Sequence, residues 1–383
     1  MSITVISSPQ TVSAGYNQMI FNVSSTNTAQ PNYNFLVDIY NGSTLVSRLL
    51  YPKQPNVTNL KLDISNVMRN FVTFDIDNIY TPLHAPNLNS RAKYYVQFGE
   101  VFDVSGIPVI YGGVTRNPTS NTKYAMNAVF DFEDFTPTLY ATYDVGSLAK
   151  PNTTGFLTER PEAFTIESGQ KLYLSFFDAT TQMTRIGINN GSGLTYTAIP
   201  ATVDEYLYNV NISKLINDKD GWASSQYLIY LSDNSDPYGT LTVNIASPCS
   251  KYTTYRLHWL NNLGGWDSFN FTKADVQKVK IERSKYKKIQ SLGYNNYDRL
   301  KTNYNTELTD QVTIQSDWIS DIMAAWIEGL FTSPVVYLER STGLVAINIT
   351  DSEFTVGKYL NGRKQHNVSL NFEFSYNRYR QSL

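Results

Sequence analysis

The residues of this chain with the most chemical capacity lie in short acidic and basic runs. Asp131, Glu133 and Asp134 sit in Phe130-Asp131-Phe132-Glu133-Asp134-Phe135. On a strand, Asp131 and Glu133 share one face, and a carboxylate pair can do general acid–base work in a glycosidase. A strand edge with phenylalanines inward and acids outward explains the same residues more simply. Asn217-Asp218-Lys219-Asp220-Gly221 and Asp233-Asn234-Ser235-Asp236-Pro237 are acidic turns. Neither completes the spacing of a calcium loop, and Asx-turn chemistry accounts for both. Lys273, Lys278, Lys280, Arg283, Lys285, Lys287 and Lys288 form a basic run against only Asp275 and Glu282, in which Val279 and Ile281 alternate with lysines. That is a strand with a charged outer face. It suits contact with an acidic neighbouring subunit or a solvated edge guarded by lysines, and suits DNA less well.

Nothing else supplies a reaction centre. The three histidines, His84, His258 and His366, are scattered, and Cys249 is the single cysteine. No intramolecular disulfide framework or multi-Cys zinc site can form. There is no G-x-S-x-G, no Walker loop and no G-x-G-x-x-G. The glycine pairs Gly112-Gly113 and Gly264-Gly265 read as turns. No catalytic, cofactor-binding or metal-binding residue is therefore assigned, no cofactor is expected, and the chain reads as a non-enzyme.

The elements that hold these runs are β-type. The chain has 383 residues, more than one ordinary core and suited to two or three domains. Basic and acidic residues nearly balance, 31 against 33, which disfavours generic nucleic-acid binding. Aromatics reach 14%, with 28 Tyr and 19 Phe, and these fit pleated, half-buried surfaces. No segment holds the roughly 18 consecutive apolar residues of a membrane helix. The N-terminus lacks the basic and apolar regions of a signal peptide, so a cytosolic product, or one released by lysis, is expected.

Phe35–Tyr40, the turn Asn41-Gly42 and Leu45–Leu50 read as a hairpin. A weak repeat aligns Phe35–Tyr40 with Leu172–Asp178, and the Arg48 strand with Arg185–Ile188. It continues by aligning Leu60–Val67 with Tyr208–Leu215, and Lys93–Phe98 with Gln226–Leu231. Proline-rich sequence between Asn117 and Pro161 marks a boundary near residue 148. The expected organisation is a β-sandwich over 1–148, a second over 149–249, and an α+β unit over 250–383. In that last unit Tyr255–Leu260 and Trp266–Phe271 are strands, and Ser316 or Asp317 caps a helix. Trp318, Ile322, Trp326 and Leu330 give the helix one apolar face. Trp259, Trp266, Trp318, Ile322, Trp326 and Leu330 are the expected core.

The run Tyr255-Arg256-Leu257-His258-Trp259-Leu260-Asn261-Asn262-Leu263-Gly264-Gly265-Trp266-Asp267-Ser268-Phe269 resembles a pattern in virion structural proteins of tailed phages of Bacteroidetes, including crAss-like phages. So does the ending, with its Ser-Asp-Trp helix start, Ser333–Leu338, Ile347–Asp351, Asn361-Gly362 and Asn371–Tyr376. A β unit with one packed helix is also similar in form to tail-tube folds. The resemblance covers about the last third of the chain; with the strand pattern before it, the expected fold is mainly β, two tandem sandwiches followed by a tail-tube-like unit with one α-helix. The resemblance implies a non-enzymatic subunit of a tail hub, neck or baseplate ring, assembled in the host cytoplasm and resident in the virion. Its partners would be copies of itself and other tail or neck proteins, with no membrane, and with nucleic acid met only where DNA passes through the ring. Lys278, Lys280, Lys285, Lys287 and Lys288 would face the neighbouring copy. The alternative is a receptor- or carbohydrate-binding protein of the phage tail or a bacterial surface, in which exposed Tyr and Trp stack on sugar rings.

Overall fold

The computed structural model describes residues 3–76, 83–116, 122–145, 154–178, 183–199, 207–233, 237–248, 251–289, 292–293, 295–354 and 365–379. The fold is mainly β, 52% strand and 10% helix, so helices serve the sheets. The chain begins with β1 (Ile3–Ser7), β2 (Val12–Ala14), β3 (Ile20–Ser25), β4 (Asn34–Asn41), β5 (Thr44–Pro52) and β6 (Asn59–Asp63). A short helix α1 (Ser65–Met68) precedes β7 (His84–Pro86), β8 (Arg91–Val104), β9 (Ile107–Arg116) and β10 (Lys123–Met126). Next come β11 (Phe164–Glu167), β12 (Tyr173–Phe177), β13 (Arg185–Asn189), β14 (Leu194–Ala198) and β15 (Leu207–Asn211). Helix α2 (Ile212–Asp220) leads to β16 (Gln226–Ser232) and β17 (Pro237–Ala246). The final stretch holds β18 (Tyr255–Leu260), β19 (Trp266–Phe271), β20 (Val276–Lys287), β21 (Lys301–Ser320), α3 (Asp321–Thr332), β22 (Val336–Arg340), β23 (Gly343–Ile349), β24 (Gln365–Phe374) and β25 (Arg378–Tyr379).

Two compact units are drawn from interleaved segments. Unit 1 is Met1–Glu159, Leu172–Val243 and Asn261–Trp266; unit 2 is Arg160–Lys171, Asn244–Leu260 and Asp267–Leu383. In unit 1 the sheet β1-β3-β6 closes on the sheet β2-β10-β8-β4-β5. Phe21 and Val23 of β3 meet Phe35, Val37 and Ile39 of β4 and Tyr94, Val96 and Phe98 of β8 in one core. The inward residues alternate along each strand because side chains of a strand point to opposite faces.

The same strand order recurs later in unit 1. β3 pairs with β6, and β4 pairs with β5 and β8. Correspondingly β12 pairs with β15, and β13 pairs with β14 and β16. A helix follows β6 and β15 alike. Asp63 accepts from Ser65 N at 2.9 Å, and Asn211 accepts from Lys214 N at 2.9 Å, so each helix start is held by a side-chain oxygen two or three residues earlier. Ile64 N donates to Met19 O, and Ile212 N donates to Leu172 O, at equivalent points. The sequence alignment of Phe35–Tyr40 with Leu172–Asp178 is therefore one strand out of step. The structural counterpart of β12 is β3. Both Phe35–Ile39 and β12 are buried on both faces, which makes their sequences look alike.

Unit 2 is built on the sheet β19-β18-β22-β23-β24-β21-β20, with β25 on β21. Its core gathers Leu257, Trp259, Phe271, Val312, Ile314, Val336, Leu338, Leu370 and Phe372 from the sheet, and Ile327 and Leu330 from α3. Helix α3 starts later than expected. Ser320, not Ser316 or Asp317, caps it, accepting from Met323 N at 3.3 Å. Ser316 Oγ instead accepts from Val368 N, inside the sheet. Trp318 consequently lies in β21 and is 59% exposed. Ile322 is 68% exposed, because the buried stripe is Met323, Ala324, Ile327 and Leu330. At roughly 100° per residue, Ile322 points well away from the middle of that stripe. Trp318 and Ile322 are not core residues.

Candidate functional site

Beyond its base, the β20–β21 hairpin leaves the sheet. β24 pairs with β21 only from Gln311 onward, and β25 covers only Glu307 and Leu308. The register between β20 and β21 continues from Arg283↔Thr306 to Lys287↔Lys301 across a bulge at Ser284/Lys285, and among the described residues no third strand pairs there. At about 3.3 Å per residue this two-stranded arm runs about 15–20 Å. Every residue of β20 except the half-buried Ser284 is exposed. Lys278, Lys280, Lys285 and Lys287 are on it and Lys288 follows it directly, and all five are exposed, as the alternation of lysine with Val279 and Ile281 predicts. Lys280 pairs with its own neighbour, Glu282, at 2.7 Å.

The arm is also apolar. Val279, Ile281, Tyr286 and Tyr304 are exposed, and near the tip Ile289 is 99% and Tyr297 82% exposed, with Leu292 fully so. Isolated two-stranded ribbons are marginal in water, and large apolar groups gathered in one exposed patch mark an interaction surface. From Val276 to Tyr304 there are eight basic and two acidic residues. The whole chain carries −2, so everything outside the arm is net acidic.

Unit 1 supplies an acidic, apolar-tipped loop. Asp131, Glu133 and Asp134 lie in a turn, not on a strand, with Asp134 N and Phe135 N donating to Asp131 O. All three acids are exposed, and Phe132 is 97% exposed, so the inward phenylalanine expected there points out. The acidic turn at Asp218 and Asp220 ends α2. Gly221 closes that helix with φ +56, and Asp220 accepts from Tyr227 Oη at 2.6 Å and Asn190 Nδ2 at 2.7 Å. Those bonds hold the Asp220 carboxyl down at about 2. The second turn, at Asp233–Pro237, lies largely outside the described residues. Among the described residues no three His, Cys, Asp or Glu side chains come together as metal ligands.

The remaining polar cluster of unit 2 holds segments together. Arg256 and His258 are buried on β18. Arg256 donates to Lys171 O at 2.7 Å, Asn270 Oδ1 at 2.7 Å and Ser268 Oγ at 2.6 Å. Glu339 on β22 lies 2.8 Å from His258 Nε2 and accepts from Lys171 N. Burial lowers the His258 pKa more than the Glu339 hydrogen bond raises it. Burial also pushes Glu339 upward, but His258 and Arg256 hold its carboxyl below the ordinary value. The stable form is thus a neutral imidazole donating to a carboxylate. This wiring explains how Arg160–Lys171, remote in sequence, belongs to unit 2. Sequence reasoning missed Arg256, His258 and Glu339, because a charged residue inside an apolar strand gives no spacing signal.

Trp259 and Trp266 are buried as expected. Trp326 is half-buried, 5.0 Å from the Trp259 ring, and donates to Asp267 Oδ2 at 3.2 Å. The Asn261–Trp266 turn is packed inside unit 1. Asn261 Nδ2 donates to Leu157 O, Tyr140 Oη donates to Leu263 O, and Trp266 Nε1 donates to Asp75 O. Gly264 has φ +82, and a Cβ there would meet Asn127 O at 2.4 Å, so only glycine fits. The Asn261–Trp266 stretch is thus a packing motif. No protein-family model matches this chain, and no curated protein matches its sequence. Among the described residues no helix is long and apolar enough to cross a membrane.

Proposed function

We propose that the chain is a non-enzymatic structural subunit of a phage tail, in a hub, neck or baseplate ring, and that the β20–β21 arm is its contact element. On this reading the three spans 1–148, 149–249 and 250–383 act as two sandwiches and a tail-tube-like unit. The supporting observation is the arm itself, a basic ribbon with uncovered apolar side chains on a chain that is otherwise acidic. Two arms pairing edge to edge would set lysine against lysine, so a two-fold contact is disfavoured. Contact with a different patch on the next copy, such as Asp131–Asp134 around Phe132, generates a ring when the rotation closes. The charges steer and set register, and the apolar tip supplies affinity. An apolar tip gains nothing against a phosphate backbone, which favours a protein partner over DNA.

The test is native mass spectrometry of the full chain, with Lys285→Glu, Lys287→Glu and Ile289→Ser, Leu292→Ser double variants beside it. A closed oligomer lost in both variants is expected. A wild-type chain that stays monomeric alone and within particles would end the reading.

A further inference from the structure

Trp318 is exposed on the rim of a cleft that lies entirely in unit 2. The cleft encloses about 620 Å³, and its walls include Arg160, Phe269, Asn270, Lys273 and Asp317. That is within the size of ligand pockets, roughly 300–1,000 Å³. A second hollow of about 250 Å³ shares Lys273, Asp317 and Trp318 and adds Tyr252, Gln315 and Asn367. Trp318 therefore lines both depressions. The backbone places it there. The β21–β24 register slips between Gln315 and Trp318, and Asp317 Oδ1 accepts from Trp318 N at 2.7 Å. Bulges commonly re-aim a side chain beside a binding site.

The described residues lining the cleft carry two cations, Arg160 and Lys273, against three carboxylates, Glu162, Glu167 and Asp317. Lys273 pairs with Asp317 at 2.8 Å, and Glu162 accepts from Ser320 Oγ at 2.9 Å. Glu167 accepts from Thr254 Oγ1 at 2.6 Å, and the Arg160 guanidinium lies over the Trp326 ring at 4.7 Å and donates to Ser268 O. No surplus cation faces the cleft to hold a phosphate or carboxylate. What is offered is an exposed indole beside the Asn270 amide, the hydroxyls of Thr165, Ser247 and Thr272, and carboxylates of which Asp317 is paired. That chemistry matches a neutral sugar, whose C–H face packs on an aromatic ring while its hydroxyls take planar donors and acceptors at the edge.

We infer that this cleft is a binding site for a neutral glycan, with one sugar ring stacked on Trp318 and its hydroxyls bonded by Asp317, Lys273 and the neighbouring amides. The site is separate from the arm and needs no second copy. A virion subunit carrying it could hold a host surface polysaccharide.

The full chain is titrated with neutral tetrasaccharides built from glucose, mannose, galactose or N-acetylglucosamine, followed by tryptophan fluorescence and saturation-transfer NMR. At least one should bind saturably, and Trp318→Ala should weaken it by at least about tenfold. Asp317→Ala should weaken it less. Trp318 is exposed, so the variant keeps its fold, which circular dichroism checks. The Lys285→Glu, Lys287→Glu variant should bind sugar normally, which separates failure here from failure of the arm. Absence of binding across the set, or binding unchanged by Trp318→Ala, would overturn the inference. So would a Trp318→Ala chain that loses assembly while the wild type binds no sugar, since Trp318 would then be a protein contact.

Discussion

β21 passes through two environments in 20 residues. In its second half Val312 and Ile314 are buried, with β24 beside them and α3 in the same core. In its first half Tyr304 is exposed, and opposite it β20 shows Ile281 and Tyr286 to solvent. The strand is the same and the composition similarly aromatic; what differs is the number of covering layers. Burial of apolar area stabilises the base at about 25 cal/mol per Å². The arm gains almost none of this alone. Its exposed apolar residues are the basis for the partner proposed above.

The largest contrast should come from truncations at the two ends. Trp259→Ala at the base removes a fully buried indole and should cost about 3–5 kcal/mol, a large share of the stability of a domain. Ile289→Ser with Leu292→Ser at the tip should leave the thermal midpoint of the monomer unchanged, measured at a dilution where neither chain associates. A tip variant that melts early would show that the arm folds back into its own unit.

Glu339→Ala should destabilise unit 2 by about 3–5 kcal/mol, because Arg256 and His258 lose the carboxylate that offsets their burial. Urea denaturation checks this, and a cost below 1 kcal/mol would mean the cluster is solvated. Trp326→Ala should cost less than Trp259→Ala, since the helix tryptophan is only half-buried.

Acid should act on the base and spare the arm. His258 has a folded pKa below its ordinary 6.5, so the unfolded chain binds the proton more readily. Its contribution is complete above about pH 6.5 and falls as the pH drops below that value. Glu339, also depressed, adds a second loss as the pH falls below its ordinary 4.5. The thermal midpoint should therefore decline on acidification from pH 7, and His258→Gln should flatten the first part of that decline. An unaltered pH profile in His258→Gln would contradict the neutral-imidazole assignment. The smallest effect is expected from Lys285→Glu with Lys287→Glu, within about 0.5 kcal/mol on stability, because both lysines are exposed surface positions.

β20 was legible in the sequence as a strand with a charged side, from lysines alternating with Val279 and Ile281, but its departure from the sheet and its exposed apolar tip were not. The helix was legible as an element but not in its start. Ser316-Asp317 is as good a cap signal as Ser320-Asp321, and only the ladder to β24 decides between them. A one-turn error there rotated the predicted face onto Trp318 and Ile322. The repeat was visible at Leu60–Val67 and Tyr208–Leu215, where a strand runs into a helix. It slipped at Phe35–Tyr40, where doubly buried strands look alike. The cleft beside Trp318 could not be read from spacing, because residues near 162, 246, 270 and 318 line it together.

The contact assigned to the arm is tested most directly by cryo-electron microscopy of assembled particles at a resolution that traces the β20–β21 hairpin. The expected result is a closed ring of this chain, with each arm seated on the neighbouring copy and Ile289, Leu292 and Tyr297 covered. A chain present as a single copy, or arms left in solvent or lying along DNA, would contradict it.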